Sequence, residues 1–202
     1  MTVESAARRD RHTPDSLLDV AVRVFTERGY DGTSMEHLAQ ASGITKSSIY
    51  HHVRGKEELL RLAVGRALEA LFAVLDEPGA ATGRAIDRLE YVVRRETEVL
   101  TAELPYVTLL LRVRGNTDTE IWALARRREF DHRVADLVAQ AMAEGDLRGD
   151  VDSRLATRLL FGMVNSIIEW WKPRDGASAQ AARATQLADT VTRLTFDGLR
   201  HH

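Results

Sequence analysis

The sequence predicts an all-α protein of about nine helices, on three observations. Apolar residues recur at three- and four-residue spacings through most of the chain, and no stretch alternates as a strand would. Helix starts are marked by Thr13-Pro14-Asp15, Thr33-x-x-Glu36, Thr45, Thr117-x-x-Glu120 and Asp152. Helix stops are marked by Gly29, Gly43, Asp76-Glu77-Pro78-Gly79, Gly115-Asn116, Gly145 and Pro173 with Gly176.

Residues 1–12 form a polar arm with Arg8, Arg9 and Arg11, either a solvated tail or a basic arm that reaches phosphate or a minor groove. The first helix opens on Pro14, where an N–H is not needed, with Asp15 near the positive end of the helix dipole. Leu17, Leu18, Ala21, Val22, Val24 and Phe25 make its apolar stripe. Thr33 and Glu36 are set to cap the second helix reciprocally, and Met35, Leu38 and Ala39 give it a short apolar face. Gly43 suits the tight corner that follows, and Thr45 caps a third helix over 46–52. Ile44, Ile49 and Val53 turn inward there, leaving Thr45, Lys46, Ser47, Tyr50 and His51 outward. Two short helices at a Gly-containing corner, the second with a polar outer face, make either an ordinary corner of an all-α protein or a helix-turn-helix, whose second helix would be the one to enter a DNA major groove. No acid lies between Ala39 and Lys56 to repel phosphate, and Lys56 opens the next helix where its charge and the backbone N–H groups can meet one.

A long helix over 56–75 spans about 30 Å, enough to join a DNA-binding head, residues 1–56, to a separate body, residues 57–202. The body continues as helices over 82–103, 106–114, 117–144, 152–171 and 178–199. In the first of these Ile86, Leu89, Val92, Val93, Thr97 and Leu100 face inward. The helix over 152–171 is apolar over much of its girth, which requires burial on several sides.

With 202 residues, 44% hydrophobic and 29% charged, the chain has ample material for one or two soluble domains. It has no cysteine, which excludes disulfides, thiol catalysis and cysteine-ligated metals. The N-terminus lacks an apolar signal core and no apolar run approaches the roughly 20 residues needed to cross a bilayer. A cytoplasmic protein without a membrane partner is expected. The net charge is −2, and the acidic excess lies after Lys56 while the head is slightly basic.

The stretch TSMEHLAQASGITKSSIYHHVRGKEELL, with Phe25 and Gly29 before it, closely resembles the DNA-binding domain of the tetracycline-repressor family of bacterial regulators. The matching positions are Phe25, Gly29, Thr33, Ile44, the Tyr50-His51 pair and Lys56-Glu57-Leu59-Leu60; His52-Val53 departs from it, where many relatives carry an aromatic residue. The resemblance implies a homodimer that places its third helices in successive major grooves of double-stranded, pseudo-palindromic operator DNA and blocks transcription. Thr33, Thr45, Lys46, Ser47, Ser48, Tyr50, His51 and Lys56 are the expected DNA contacts, with Thr45, Lys46 and Ser47 nearest the bases and Tyr50, His51 and Lys56 on phosphates. It implies a subunit interface of two helices from each copy, for which Leu155, Leu159, Met163, Ile167, Leu187, Val191 and Leu194 are the expected residues. It also implies a small-molecule effector among the body helices. Glu98, Tyr106, Leu110, Val113, Trp122, Arg126, Phe130, Asn165, Ile168 and Trp171 mix apolar bulk with a few polar groups and are the expected lining. Arg112, Arg114 and Arg126-Arg127-Arg128 either attract an anionic group, as of an acyl-CoA, or are simply solvated.

Enzyme chemistry finds no support. There is no Gly-rich phosphate loop, no H-E-x-x-H and no G-x-S-x-G. His51 and His52 are adjacent and point about 100° apart on a helix, so they make no metal pair. No metal and no cofactor is expected. The alternative to a ligand-controlled repressor is a helix-turn-helix protein of architectural type, without an effector.

Overall fold

The computed structural model describes residues 14–173 and 176–199. Among them are eleven helical segments and no strand: α1 (Pro14–Arg28), α2 (Met35–Ser42), α3 (Lys46–Tyr50), α4 (Lys56–Asp76), α5 (Pro78–Ala81), α6 (Ala85–Ala102), α7 (Leu104–Arg112), α8 (Asp118–Ala143), α9 (Ser153–Asn165), α10 (Ile167–Trp170) and α11 (Ala177–Leu199). The chain divides into two compact units after Ala63, inside α4. The basic arm and the Thr13 cap lie outside the described residues.

In the first unit α1 packs on α2 and α2 on α3. The stripe of α1 is buried as its spacing requires, and Leu38, Ile49, Leu59 and Leu60 bring one apolar group each from α2, α3 and the first turns of α4. Burying a side chain of that size contributes about 1.5–3 kcal/mol, so a few of them hold short helices that could not persist alone. Val53 fills the place beneath α3 while His52 points to solvent, so the departure at His52 leaves the packing under the helix to valine.

The cap of α2 is shifted by one residue from the expected Thr33–Glu36 pair. Ser34 is the N-cap: its Oγ accepts from the His37 backbone N–H at 3.2 Å, and His37 Nδ1 accepts from the Ser34 N–H at 3.2 Å. Thr33 is instead 2% exposed and its hydroxyl donates to the Gly29 carbonyl at 2.8 Å. Histidine at the third helical position can replace the glutamate of a capping box because its ring nitrogen is also an acceptor. Thr45 caps α3 as its sequence implies, its Oγ1 accepting from the Ser48 N–H at 3.1 Å.

The second unit is built around α6, which packs against α5, α7, α8 and α11, while α9 lies on α8. Its buried stripe includes Ile86, Leu89, Val92, Val93, Thr97 and Leu100, as the spacing requires. The α5–α6 corner is close enough that a Cβ on Gly79 would stand 2.5 Å from the Tyr91 ring, so only glycine fits. Around it, Glu77 accepts from the Tyr91 hydroxyl at 2.5 Å and from Arg95 Nε at 2.9 Å, and Arg95 also pairs with Glu98.

Three boundaries and one cap differ from the expectation. Helix α6 starts at Ala85, whose N–H donates at 3.0 Å to Glu144, the residue that follows α8, a cap supplied from distant sequence. Helix α7 starts at Leu104, with Pro105 in its first turn. The helix expected over 152–171 breaks at Ser166, whose hydroxyl donates to the Met163 carbonyl at 2.7 Å and competes with the backbone ladder. At α8, Thr117 accepts from the Glu120 N–H, but the Glu120 carboxylate accepts from the Arg114 and Asn116 N–H groups instead of closing a reciprocal box.

Because Ser34 caps α2, Ser34→Ala should lower stability by about 1 kcal/mol in urea unfolding followed by circular dichroism. Glu36→Gln should leave stability nearly unchanged. The reverse ranking would restore the cap to Thr33 and Glu36.

Candidate functional site

Helix α3 presents Thr45, Lys46, Ser47, Tyr50 and His51 on one exposed surface, with Ser48 half-buried and Ile49 fully buried behind them. Ser48 Oγ lies 2.9 Å from Thr45 Oγ1, so these two hydroxyls order each other at the start of the helix. Lys46 forms an exposed ion pair with Glu36 of α2, and their hydrogen bond holds the Glu36 carboxyl below its usual range and raises the Lys46 ammonium. The pair spans ten residues of sequence and only folding brings it together. Two expected contacts face inward. Thr33 is buried on the Gly29 carbonyl. Lys56 donates to the Tyr30 carbonyl at 2.9 Å and the Thr33 carbonyl at 2.8 Å, with its ammonium 4.4 Å from the Tyr30 ring centre. Both hold the α1–α2 connection in place; the free surface is that of α3.

In the second unit a cavity of about 30 Å³ lies among α4, α6, α7, α8 and α9, with Phe72, Leu100, Leu110, Phe130 and Phe161 in its wall. Phe72, Phe130 and Phe161 form an aromatic ladder with ring centres 5.6 and 5.8 Å apart. Two acids, Glu96 and Asp131, line this wall. Glu96 is 5% exposed, and its Oε2 has no hydrogen-bond partner among the described residues. Burial, and then the nearby Asp131 charge, push its carboxyl up to about 8, so it is a neutral acid at pH 7.

Arg127, Asp131, Phe161 and Asn165 border both this cavity and a groove of about 370 Å³ between α8 and α9, so the two adjoin. Arg128, His132, Arg154 and Arg158 complete the polar side of the groove. Burial raises the Asp131 carboxyl, against the pull of Arg127, His132 and Arg158, and burial lowers the Arg127 guanidinium. The groove is rich in arginine, and the adjoining cavity has an aromatic wall and a neutral acid. Together they suit an anionic amphiphile.

Of the expected effector residues, Leu110, Phe130 and Asn165 line the cavity. The other seven line neither it nor the groove. Glu98 is taken up by Arg95; Arg126 lies 4.0 Å over Phe72 and pairs with Glu129; Tyr106 is buried with Arg66 4.2 Å over its ring; and Trp171 is buried with Arg183 4.4 Å over its ring. Val113 is core, while Trp122 and Ile168 are half-buried elsewhere. Glu96 was readable as an acid inside the apolar stripe of α6, between Val92 and Leu100. Of the expected interface residues, Leu155, Leu159, Met163 and Leu194 are exposed apolar groups, at 65% for Leu159 and 69% for Leu194. Ile167 and Val191 instead belong to the core of the unit, at 1% and 6%, and Leu187 is half-buried.

The raised Glu96 pKa fixes the sign of a pH effect. Folded, Glu96 keeps its proton up to about pH 8; unfolded, it releases it near 4.5. Between these values unfolding releases a proton, so this group makes stability fall as pH rises, by up to about 1.4 kcal/mol per pH unit. Glu96→Gln should remove that slope, and calorimetry should show its Tm gaining on the wild type from about pH 5 to about pH 8. Parallel Tm curves would mean that Glu96 is ionised when folded.

Two family sequence models match the chain. "Bacterial regulatory proteins, tetR family" matches residues 17–63, and "Tetracyclin repressor-like, C-terminal domain" matches residues 82–195. A solved member of the TetR transcriptional regulator family from Streptomyces coelicolor A3 is 68% identical, with a TM-score of 0.87 over 94% of this chain and 93% of that one. AibR, solved in complex with isovaleryl coenzyme A and operator DNA, is 26% identical, with a TM-score of 0.72 over 91% of this chain and 97% of its own. The HTH-type transcriptional repressor KstR2 of Mycobacterium tuberculosis is 25% identical over 193 residues, 91% of this chain and 93% of that protein. With helix-turn-helix, helical body and more than half of the sequence matched, the chain belongs to the TetR family of bacterial DNA-binding transcriptional regulators.

Proposed function

We propose that this regulator is a cytoplasmic repressor that binds a palindromic operator as a homodimer and is released by a small lipophilic or acyl-CoA-like effector. The observation that carries the DNA reading is the exposed set Thr45, Lys46, Ser47, Tyr50 and His51 above the buried Ile49. Side chains at the start of such a helix reach base edges, while Tyr50 and His51, further along, suit phosphates. The head would span residues 1–56 and the effector and dimerisation domain residues 57–202. Leu155, Leu159 and Met163 recur every four residues on α9, and with Leu194 on α11 they offer an apolar seam for a second copy. The effector reading is supported by the arginine-lined groove that adjoins the aromatic cavity, and by the coenzyme A thioester bound to AibR. A ligand there releases DNA only as far as it binds the released conformation more tightly than the DNA-bound one.

A gel-shift titration against the upstream intergenic DNA, with and without a panel of acyl-CoAs, tests this reading. Wild type should bind specifically and be released by one member of the panel. Lys46→Ala and Tyr50→Ala should each lose most of the binding while remaining helical and dimeric; normal binding by both would remove α3 as the reading helix. Specific binding that no metabolite relieves would favour the architectural alternative. Glu36→Gln frees Lys46 from its acidic partner and removes a charge that repels phosphate. Its affinity should rise several-fold at low salt and converge on the wild type as salt increases. Weaker binding by this variant would show that the Lys46–Glu36 pair is needed in the complex.

A further inference from the structure

We propose that Glu96 is a specificity-determining hydrogen-bond donor, meeting a carbonyl oxygen at the far apolar end of an anionic amphiphile whose head lies among Arg127, Arg128, Arg154 and Arg158. This rests on the effector reading above and extends it to the chemistry of the ligand's tail.

Helix α6 holds a conflict. Its inward stripe is apolar, yet it carries a carboxylic acid with 5% exposure. A buried polar group is normally hydrogen-bonded, and an unpaired one is costly. Glu96 Oε2 has no such bond among the described residues and lines the cavity. Most of the surrounding wall is apolar: Leu68, Leu71 and Phe72 from α4, Val107, Leu110 and Leu111 from α7, and Phe130 and Phe161 from α8 and α9. Its polar members are Arg127 and Asp131 of α8 and Asn165 of α9, all of which also border the groove.

Protonation makes the difference. A neutral carboxylic acid offers one O–H donor, whereas a carboxylate only accepts. The inner cavity, about 30 Å³, has room for a terminal group and not for a whole ligand, while the groove of about 370 Å³ takes the larger part. A ligand whose head lies in the groove and whose tail passes between the shared residues into the adjoining cavity brings the end of that tail to Glu96. A ketone there accepts the Glu96 proton donor; a plain alkyl end leaves the acid unpaired in an apolar wall. Selection against the ligand that lacks the matching group is the stronger half of such recognition.

The probes are medium-chain coenzyme A thioesters, each with and without a keto group one carbon from the tail end. They are titrated calorimetrically into full-length wild type, Glu96→Gln and Glu96→Leu. Wild type should prefer the keto thioester by about tenfold. Glu96→Gln should keep the preference because its amide N–H still donates, and Glu96→Leu should lose it. The wild-type preference should fade as pH rises past about 8, whereas that of Glu96→Gln should not. This comparison separates Glu96 from Asp131 and Arg127, which are the same in both proteins, and decides the matter even if Glu96→Leu does not fold. Equal affinity of wild type for the paired thioesters, or a preference that survives Glu96→Leu, overturns the role of Glu96 and leaves the cationic-head reading standing. If no thioester binds wild type, the cationic-head reading fails and this inference falls with it.

Discussion

The body of this regulator depends on the burial of one helix. Helix α6 touches α5, α7, α8 and α11, so its side chains set how far apart those helices stand. Most of its inward positions obey the rule that follows, with Ile86, Leu89, Val92, Val93 and Leu100 packed away from water. Thr97 obeys it by donating its hydroxyl to the Val93 carbonyl at 2.9 Å. Glu96 does not, and the only cheap way to keep a carboxyl in such a place is to leave its proton on. A packing constraint thus becomes a chemical property: a hydrogen-bond donor inside an aromatic cavity.

The polar groups at the margin of α6 behave in the opposite way. Glu77 is shared between Tyr91 and Arg95, and its hydrogen bond to Arg95 holds its carboxyl below the usual range. Arg84 and Asp146 form a two-pronged pair at the start of α6, and Arg66 and Glu103 another at the start of α7. Exposed pairs of this kind contribute little singly, and their geometry matters more for holding α5, α7 and α8 in register against the hub. Charge at the rim orients the helices; a proton in the middle keeps charge out.

In the helix-turn-helix unit the same division separates anchoring groups from exposed ones. Lys56 and Thr33 look like surface contacts by residue type, but their donors go to the carbonyls of Tyr30, Thr33 and Gly29. Those carbonyls lie in or beside the connection between α1 and α2, where no helix ladder satisfies them. With that connection tied down, α3 can be only five residues long and still present a defined surface. Glu36 sits against Lys46 in an exposed ion pair beside that surface.

By itself the sequence determined the all-helical class, the helix-turn-helix, the apolar stripes of α1 and α6, and caps such as Thr45 and Asp152, because each depends on residues within a turn or two of one another. It also carried the family resemblance, which is concentrated in the same local run. Tertiary structure alone decided what depends on distant partners. It moved the α2 cap from Thr33 to Ser34, turned Lys56 inward, supplied Glu144 as the cap of α6, and withdrew Ile167 and Val191 from the exposed seam. It also chose Glu96, and not Glu98, for the cavity. Two residues along a helix is a rotation of about 200°, which sends one carboxyl into the core and the other to Arg95 at the rim.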